Sequence, residues 1–326
     1  MCAKVLVTGG AGYIGSHACK LLKAAGHSSV VFDNLSTGWR QAVKFGSLIE
    51  GDLLDPHALR AAFAETRPDA VMHFAALSNV GESAEKPELY WRNNVAGSMN
   101  LLDAMRAAGV DKLVFSSTCA TYGVTDAPLD ETHGQAPINP YGQSKLAVER
   151  MIADYTVHGL GAVIFRYFNV AGADPDAEIG EHHEPETHLV PILLDAIAGA
   201  RPELVVNGDD YDTPDGTCIR DYIHVMDLAR AHVLGLEHLL GGGGALTLNL
   251  GSGSGFSVRE VIEAAEAATG LPAPCRIGPR RAGDPPRLVS GSALAERTLG
   301  WRPARSAMAT MIADAWAWRA TGLYKR

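Results

Sequence analysis

Residues 4–15 read Lys4-Val5-Leu6-Val7-Thr8-Gly9-Gly10-Ala11-Gly12-Tyr13-Ile14-Gly15, and a helix-like run from Ser16 to Ala25 follows and stops at Gly26. A short apolar run, glycines three apart and then a helix spell strand, tight turn and helix, the context in which a glycine pattern carries meaning. The glycines allow the turn, let the backbone approach a pyrophosphate and pack helix against strand, with the diphosphate at the helix N-terminus. A second strand, Ser29-Val30-Val31-Phe32, ends in Asp33. A carboxylate there accepts from a ribose diol and repels a 2′-phosphate, which favours NAD over NADP.

The rhythm continues outward from that unit. Candidate strands lie at 4–8, 29–33, 47–50, 70–74, 112–117 and 162–168, and candidate helices at 13–25, 56–65, 87–108 and 141–157. Alternation of this kind predicts an α/β fold with a doubly wound parallel sheet covered on both faces, and its ligand at the C-terminal strand edges. Gly9, Asp33, Asp52, Phe74 to Ser78 and Ser116 to Thr118 all fall at those edges.

Beyond Phe168 the rhythm breaks: a loop at 171–188, a helix at 189–199, a strand at 203–206 and an acidic loop at 208–217. A helix at 224–240 and a strand at 245–250 follow, and Ser257-Val258-Arg259-Glu260 is a capping box for a helix ending at Gly270. Met308, Met311, Ile312, Ala315 and Trp316 form the packing stripe of a terminal helix.

Tyr141 and Lys145 are four residues apart and share one helical face. An ammonium beside a phenol favours the phenolate. Bringing a tyrosine from ~10 to about 7 needs ~4 kcal/mol, the order of one charge at ~4 Å in an effective dielectric near 20. Such a tyrosine can take an alcohol proton, the chemistry a nicotinamide needs when it accepts a hydride.

The bulk numbers bound the rest. With 326 residues the chain exceeds the size of one efficient core, so two lobes are expected. A net charge of −9 argues against nucleic acid, and 47% hydrophobic content supplies an ample core. Five cysteines with no C-x-x-C spacing suit a reducing compartment. The N-terminus does not read as a signal peptide and no apolar stretch reaches membrane-spanning length, so a cytoplasmic location and no membrane partner are expected.

Three segments imitate other sites. Gly251-Ser252-Gly253-Ser254-Gly255 lacks the strand-terminal acid of a second nucleotide loop. Asp210 to Gly216 has a proline at a ligand position and no glutamate at the twelfth place of a calcium loop. Glu181-His182-His183-Glu184 with His188 has zinc-ligand chemistry but reads as solvated loop histidines, and no metal is assigned.

Gly9-x-x-Gly12-x-x-Gly15 with Tyr141-x-x-x-Lys145 resembles the extended short-chain dehydrogenase/reductase family. Val31 to Leu35, His73 to Ala76, Val80 to Ser83, Asn93 to Val95, Arg166 to Asn169 and Arg220 to Leu228 narrow the resemblance to the UDP-glucose 4-epimerases, nearly end to end. The resemblance implies a Rossmann-type NAD domain over 1–168, to which about 217–253 returns, and a smaller, discontinuous α/β substrate domain over 169–326. It implies NAD contacts from Gly9, Gly12, Tyr13, Ile14, Gly15, Asp33, Asn34, Asp52, Leu53, Phe74, Ala75, Ala76, Asn93, Tyr141, Lys145 and Phe168. UDP-sugar contacts are implied for Thr118, Tyr141, Asn169, His188, Leu189, Arg220, Arg281, Asp284 and Leu288.

The chemistry so implied is a redox-neutral inversion. Tyr141 removes the proton of the sugar 4-hydroxyl, Thr118 shares it, and the sugar C4 is oxidised by NAD⁺ and reduced again from its other face. A homodimer packed through the helices near 87–108 and 141–157 is also implied. Ser78 stands where many members have Lys, His188 where Asn is frequent and Leu288 where a bulky Tyr is frequent. The smaller Leu288 leaves room for an N-acetyl group, so UDP-N-acetylglucosamine is a candidate second substrate. Cys119-Ala120 after Thr118 replaces the Asp-Glu pair of a 4,6-dehydratase. Epimerases of UDP-glucuronate or a UDP-pentose, and a non-catalytic NAD-binding relative, remain the alternatives.

Overall fold

A computed structural model describes residues 2–123, 129–281 and 284–325. Seven strands form one sheet in the spatial order Leu246–Leu250, Gly161–Tyr167, Lys112–Ser116, Ala70–His73, Lys4–Thr8, Ser28–Asp33 and Ser47–Glu50, every neighbouring pair parallel. All of Ala70–His73 and the last four residues of Lys4–Thr8 are buried, as strands covered on both faces must be.

Alternation divides the core. Val5 and Val7 point to the face covered by the helices Tyr13–Ala24 and Val225–Leu240, where they join Ala18, Leu22, Leu228 and Leu236. Leu6 points to the other face and packs with Leu59, Phe63, Leu101, Met105 and Ile152 of the helices Pro56–Thr66, Gly97–Ala108 and Pro140–Thr156. The strand order reverses between Lys4–Thr8 and Ala70–His73, which opens a crevice at their C-terminal ends.

The second half forms its own core. The helices Leu189–Ile197, Val258–Thr269 and Met308–Ala320 bury Leu193, Leu194, Val261, Ala265, Met311 and Ile312 together. Ser257 and Glu260 make the expected capping box, and Gly270 closes the helix in the left-handed region at φ +69°. Ile219–Arg220 lies between Phe256–Ser257 and Arg287–Leu288 in a three-stranded sheet. Two parallel pairs complete the half, Asn169–Ala171 with Tyr222–His224 and Leu204–Asn207 with Cys275–Gly278.

The helix expected over 87–108 is not one regular helix. It runs α over Pro87–Tyr90, π over Trp91–Ala96 and α again over Gly97–Ala108, and a separate helix Val80–Glu85 precedes it. A wide π turn changes which side chains face inward, and here it lets Asn94 be buried while Asn93 is half-exposed.

Candidate active site

The loop between the first strand and the first helix needs glycine on steric grounds. A Cβ on Gly9 would stand 2.5 Å from the Ala75 nitrogen, and one on Gly15 would stand 2.3 Å from the Gly9 carbonyl oxygen. Gly9 also adopts φ +72°, so only glycine lets this turn close against the end of the next sheet strand. The helix starting at Tyr13 has no side-chain cap and no acidic residue in its first turn, so its first N–H groups are free for an anion. Asp33 is buried at its strand end, where Oδ2 accepts from Ala11 N at 3.0 Å and Oδ1 from Leu35 N at 2.8 Å. Asn34 donates to Asp52 at 3.0 Å, which brings the two edge residues together.

Further along the crevice, Asn94 clamps the backbone of Leu77 through both amide atoms, at 2.8 and 3.0 Å, and reaches Ser144 on the helix Pro140–Thr156. Asn93 hydrogen-bonds Asn94 at 3.0 Å. Leu53 is buried under Gly97, Phe74 packs on His232 with centroids 4.7 Å apart, and Phe168 packs beside Cys119 and Tyr122.

The end of strand Lys112–Ser116 carries Thr118 and anchors Lys145. The Thr118 hydroxyl lies beside the Tyr141 phenol, near enough to lower its proton affinity, and accepts from Ala120 N at 3.1 Å. Asn139 caps the helix that carries Tyr141 by accepting from Gly142 N at 2.8 Å. Lys145, one turn on, donates from Nζ to the Ser116 carbonyl at 2.8 Å and lies 4.9 Å from the Phe115 ring centroid.

The expected tuning is absent from the chain on its own. Burial lifts the Tyr141 phenol to about 12 against the lowering effect of the Thr118 hydroxyl. Burial also pulls the Lys145 ammonium down to about 7, although Glu149 one turn further on favours its charge. Both groups have lost water, and the Glu149 carboxylate is engaged by Arg166.

The second half supplies a cationic face. Arg220 pairs with Asp284, whose backbone nitrogen is bonded to the Arg281 carbonyl at 3.2 Å. With the Asn207 amide oriented to place its oxygen toward the guanidinium, Arg281 donates to it at 3.1 and 3.3 Å. Leu288 stands opposite Arg220 in the strand register, and Asn169 stands opposite Tyr222, two residues from Arg220. Arg276 and Arg280 are paired elsewhere, with Glu203 and Asp210. His188 precedes Leu189 at the start of the helix Leu189–Ile197 and is half-exposed. Burial works to lower its proton affinity, but the Glu181 and Glu186 carboxylates prevail and raise it to about 10.

Comparison with known proteins places the chain in a family. The model of the NAD dependent epimerase/dehydratase family matches residues 5–251. The chain belongs to that family. A UDP-glucose 4-epimerase of Rhizobium meliloti is 50% identical over 316 residues, 96% of each chain. The crystal structure of UDP-glucose 4-epimerase from Brucella ovis in complex with NAD superposes with a TM-score of 0.95 at 53% identity, covering 97% of this chain and 98% of that one. The UDP-Glc/GlcNAc 4-epimerase from Campylobacter jejuni has a TM-score of 0.85 at 39% identity, covering 98% and 99%.

For a member of the epimerase/dehydratase family, this chain also carries a buried polar network that sequence reasoning left unassigned. Arg166 donates through Nε to Glu149 Oε1 at 3.0 Å and through Nη1 to the Tyr122 hydroxyl at 2.7 Å, which in turn donates to Asn249 at 2.7 Å. Ser117 and Gln135 complete the shell of Glu149. Glu149 follows Lys145 by four residues on the helix Pro140–Thr156, a spacing visible in the sequence, but its partner Arg166 lies on the strand Gly161–Tyr167. The decoy segments have structural work. Asp221 holds the loop at Ser252 and Gly253, and Asp215 anchors Thr217 and Ser257.

Proposed function

We propose that the chain is an NAD-dependent 4-epimerase that interconverts UDP-galactose and UDP-glucose. The observation that carries this reading is the placement of Thr118 beside the Tyr141 phenol, with Lys145 one turn on, at the C-terminal edge of a parallel sheet whose reversal point bears the glycine loop. Bound NAD⁺ supplies reversible oxidation at sugar C4.

The chain's own residues handle the proton and the orientation. Tyr141 takes the proton of the 4-hydroxyl and returns it once the other face of the sugar is presented, and Thr118 shares it through its hydroxyl. The phenol must come down from about 12 to act as a base at neutral pH. Protonated Lys145 is the neighbouring charge able to bring it down. Arg220 and Arg281 are suited to clamp the two phosphates, because a guanidinium fork matches paired oxygens. Asp284, Asn169, His188, Leu189 and Leu288 complete the substrate side.

On this reading residues 1–168 with about 217–253 hold NAD, and 169–326 otherwise hold the UDP-sugar. The chain works as a homodimer through the helices near 87–108 and 141–157. Leu89, Trp91 and Met99 in that region are exposed apolar side chains, which favours the pairing. A cytoplasmic location suits five free cysteines, and among the described residues no helix is long and apolar enough to cross a membrane.

The test is a coupled assay of UDP-galactose conversion with purified protein. Conversion is expected for the parent, while Tyr141→Phe loses at least about 10³-fold in kcat with NAD still bound. Full activity of Tyr141→Phe would remove the assigned base, and an inactive parent would remove the epimerase. A second reading, that UDP-N-acetylglucosamine is also turned over, is favoured by Leu288 and by the Campylobacter jejuni relative. Absence of detectable turnover of that sugar by the active enzyme would discard it.

A further inference from the structure

Segment 181–188 carries three histidines and three glutamates, and the fold sorts them. His182 leaves the group: its ring stacks on Trp39 with centroids 4.5 Å apart and planes within 6°. Glu184 is exposed. The other four converge, with the donor atoms of Glu181, His183, Glu186 and His188 all within 4.8 Å of one another. His188 Nδ1 stands 2.9 Å from Glu181 Oε1 and 3.4 Å from Glu186 Oε1. His183 Nδ1 stands 3.6 and 3.4 Å from the same two carboxylates.

We infer that Glu181, His183, Glu186 and His188 form a binding site for one divalent transition-metal ion of the zinc type. Ligands about 2.0 Å from a tetrahedral ion lie roughly 3.3 Å from each other. The nitrogen–oxygen spacings, 2.9 to 3.6 Å, bracket that edge length, with Glu186 facing His183 through Oε2 and His188 through Oε1. The two spacings of His183 are poor as hydrogen bonds: its Nδ1 is buried and makes none.

Charge points the same way. The Glu181 and Glu186 side chains are each only 7% exposed. Among the described residues their ion pairs are with these two imidazoles alone. Arg201 and Arg319 line the adjoining cavity but pair with Asp195. Two carboxylates withdrawn from water at one point need positive charge between them. A proton on each imidazole and a metal ion are alternative answers at the same nitrogens.

The donors are also held in position. Glu186 Oε1 accepts from Thr187 N at 2.8 Å and His188 N at 2.9 Å, and Trp39 Nε1 fixes the His182 carbonyl at 2.8 Å. Supported donors of this kind cost an ion little reorganisation. A cavity of ≈ 260 Å³ bordered by Glu181, His183 and Glu186 offers an entry path. Imidazole and carboxylate without thiolate suit zinc, cobalt or nickel better than calcium or copper(I).

The test uses the full-length, tag-free protein after chelator treatment, titrated with Co²⁺ alone and then with Zn²⁺. One equivalent of cobalt is expected, with the intense visible bands of a four-coordinate ion and no thiolate charge-transfer band, and zinc displaces it. His183→Ala and Glu186→Gln, each checked for fold by circular dichroism, are expected to weaken binding at least about tenfold. No saturable uptake by the parent protein would leave two imidazolium–carboxylate pairs and overturn the site. A thiolate band, or unchanged binding in both variants, would overturn it equally.

Discussion

Lys145 holds its amine where there is no water: Nζ donates to the Ser116 carbonyl, and burial brings its proton affinity from 10.5 to about 7. The sign of the linkage is fixed by that direction. The unfolded chain keeps the proton below pH 10.5, so stability falls as pH drops from about 10.5 towards 7 and levels off below. Lys145→Met in the cofactor-free protein is therefore expected to gain stability over the parent between those limits, the gain growing as pH falls, and to lose epimerisation. Urea unfolding at pH 7 and pH 10 measures the difference, and an equal gain at both would contradict it. A spacing of four residues was enough to put Tyr141 and Lys145 on one face. It does not carry desolvation, which is a property of what Phe115, Ser116 and Tyr167 bring from elsewhere in the chain, so the direction of both shifts had to await the packed site.

Elements behave according to how much of their cause is local. The strands Lys4–Thr8 and Ser47–Glu50 lie where the apolar runs and their punctuation put them, and the capping box at Ser257 closes as read. Strands of two residues, Ile219–Arg220, Phe256–Ser257 and Arg287–Leu288, have no period to detect and exist because a neighbour offers hydrogen bonds. The π turn at Trp91–Ala96 is likewise invisible to propensity, yet it sets which asparagine pins Leu77. Two substitutions probe this scale. Gly15→Ala pushes a methyl to 2.3 Å from the Gly9 carbonyl, with an expected cost of about 1–3 kcal/mol and loss of co-purifying NAD, read by denaturation and by absorbance of the released cofactor. Glu149→Gln leaves Arg166 buried without its counter-charge, and a loss on the order of 3–5 kcal/mol is expected in urea unfolding. A neutral result there would show that Tyr122 and the neutral amide oxygen suffice to satisfy the arginine.

For the molecule as a whole, assembly and cofactor retention are the measurable properties. Replacing the exposed Leu89 and Trp91 with glutamate is expected to shift sedimentation from a dimer to a monomer while leaving the far-ultraviolet spectrum unchanged. A parent that sediments as a monomer would end the pairing argument. The parallel sheet has a further consequence for biogenesis. Its last strand, Leu246–Leu250, zips onto Val163–Tyr167, so one flank of Gly161–Tyr167 stays bare until the intervening chain has been made. With roughly 80 residues still to come at ~5–20 residues per second, a ribosome leaves that flank open for roughly 4–16 s. An unpaired flank is a template for stray strands. Premature termination near residue 168 should therefore yield an aggregating fragment, whereas the completed polypeptide protects itself with its own late-emerging strand.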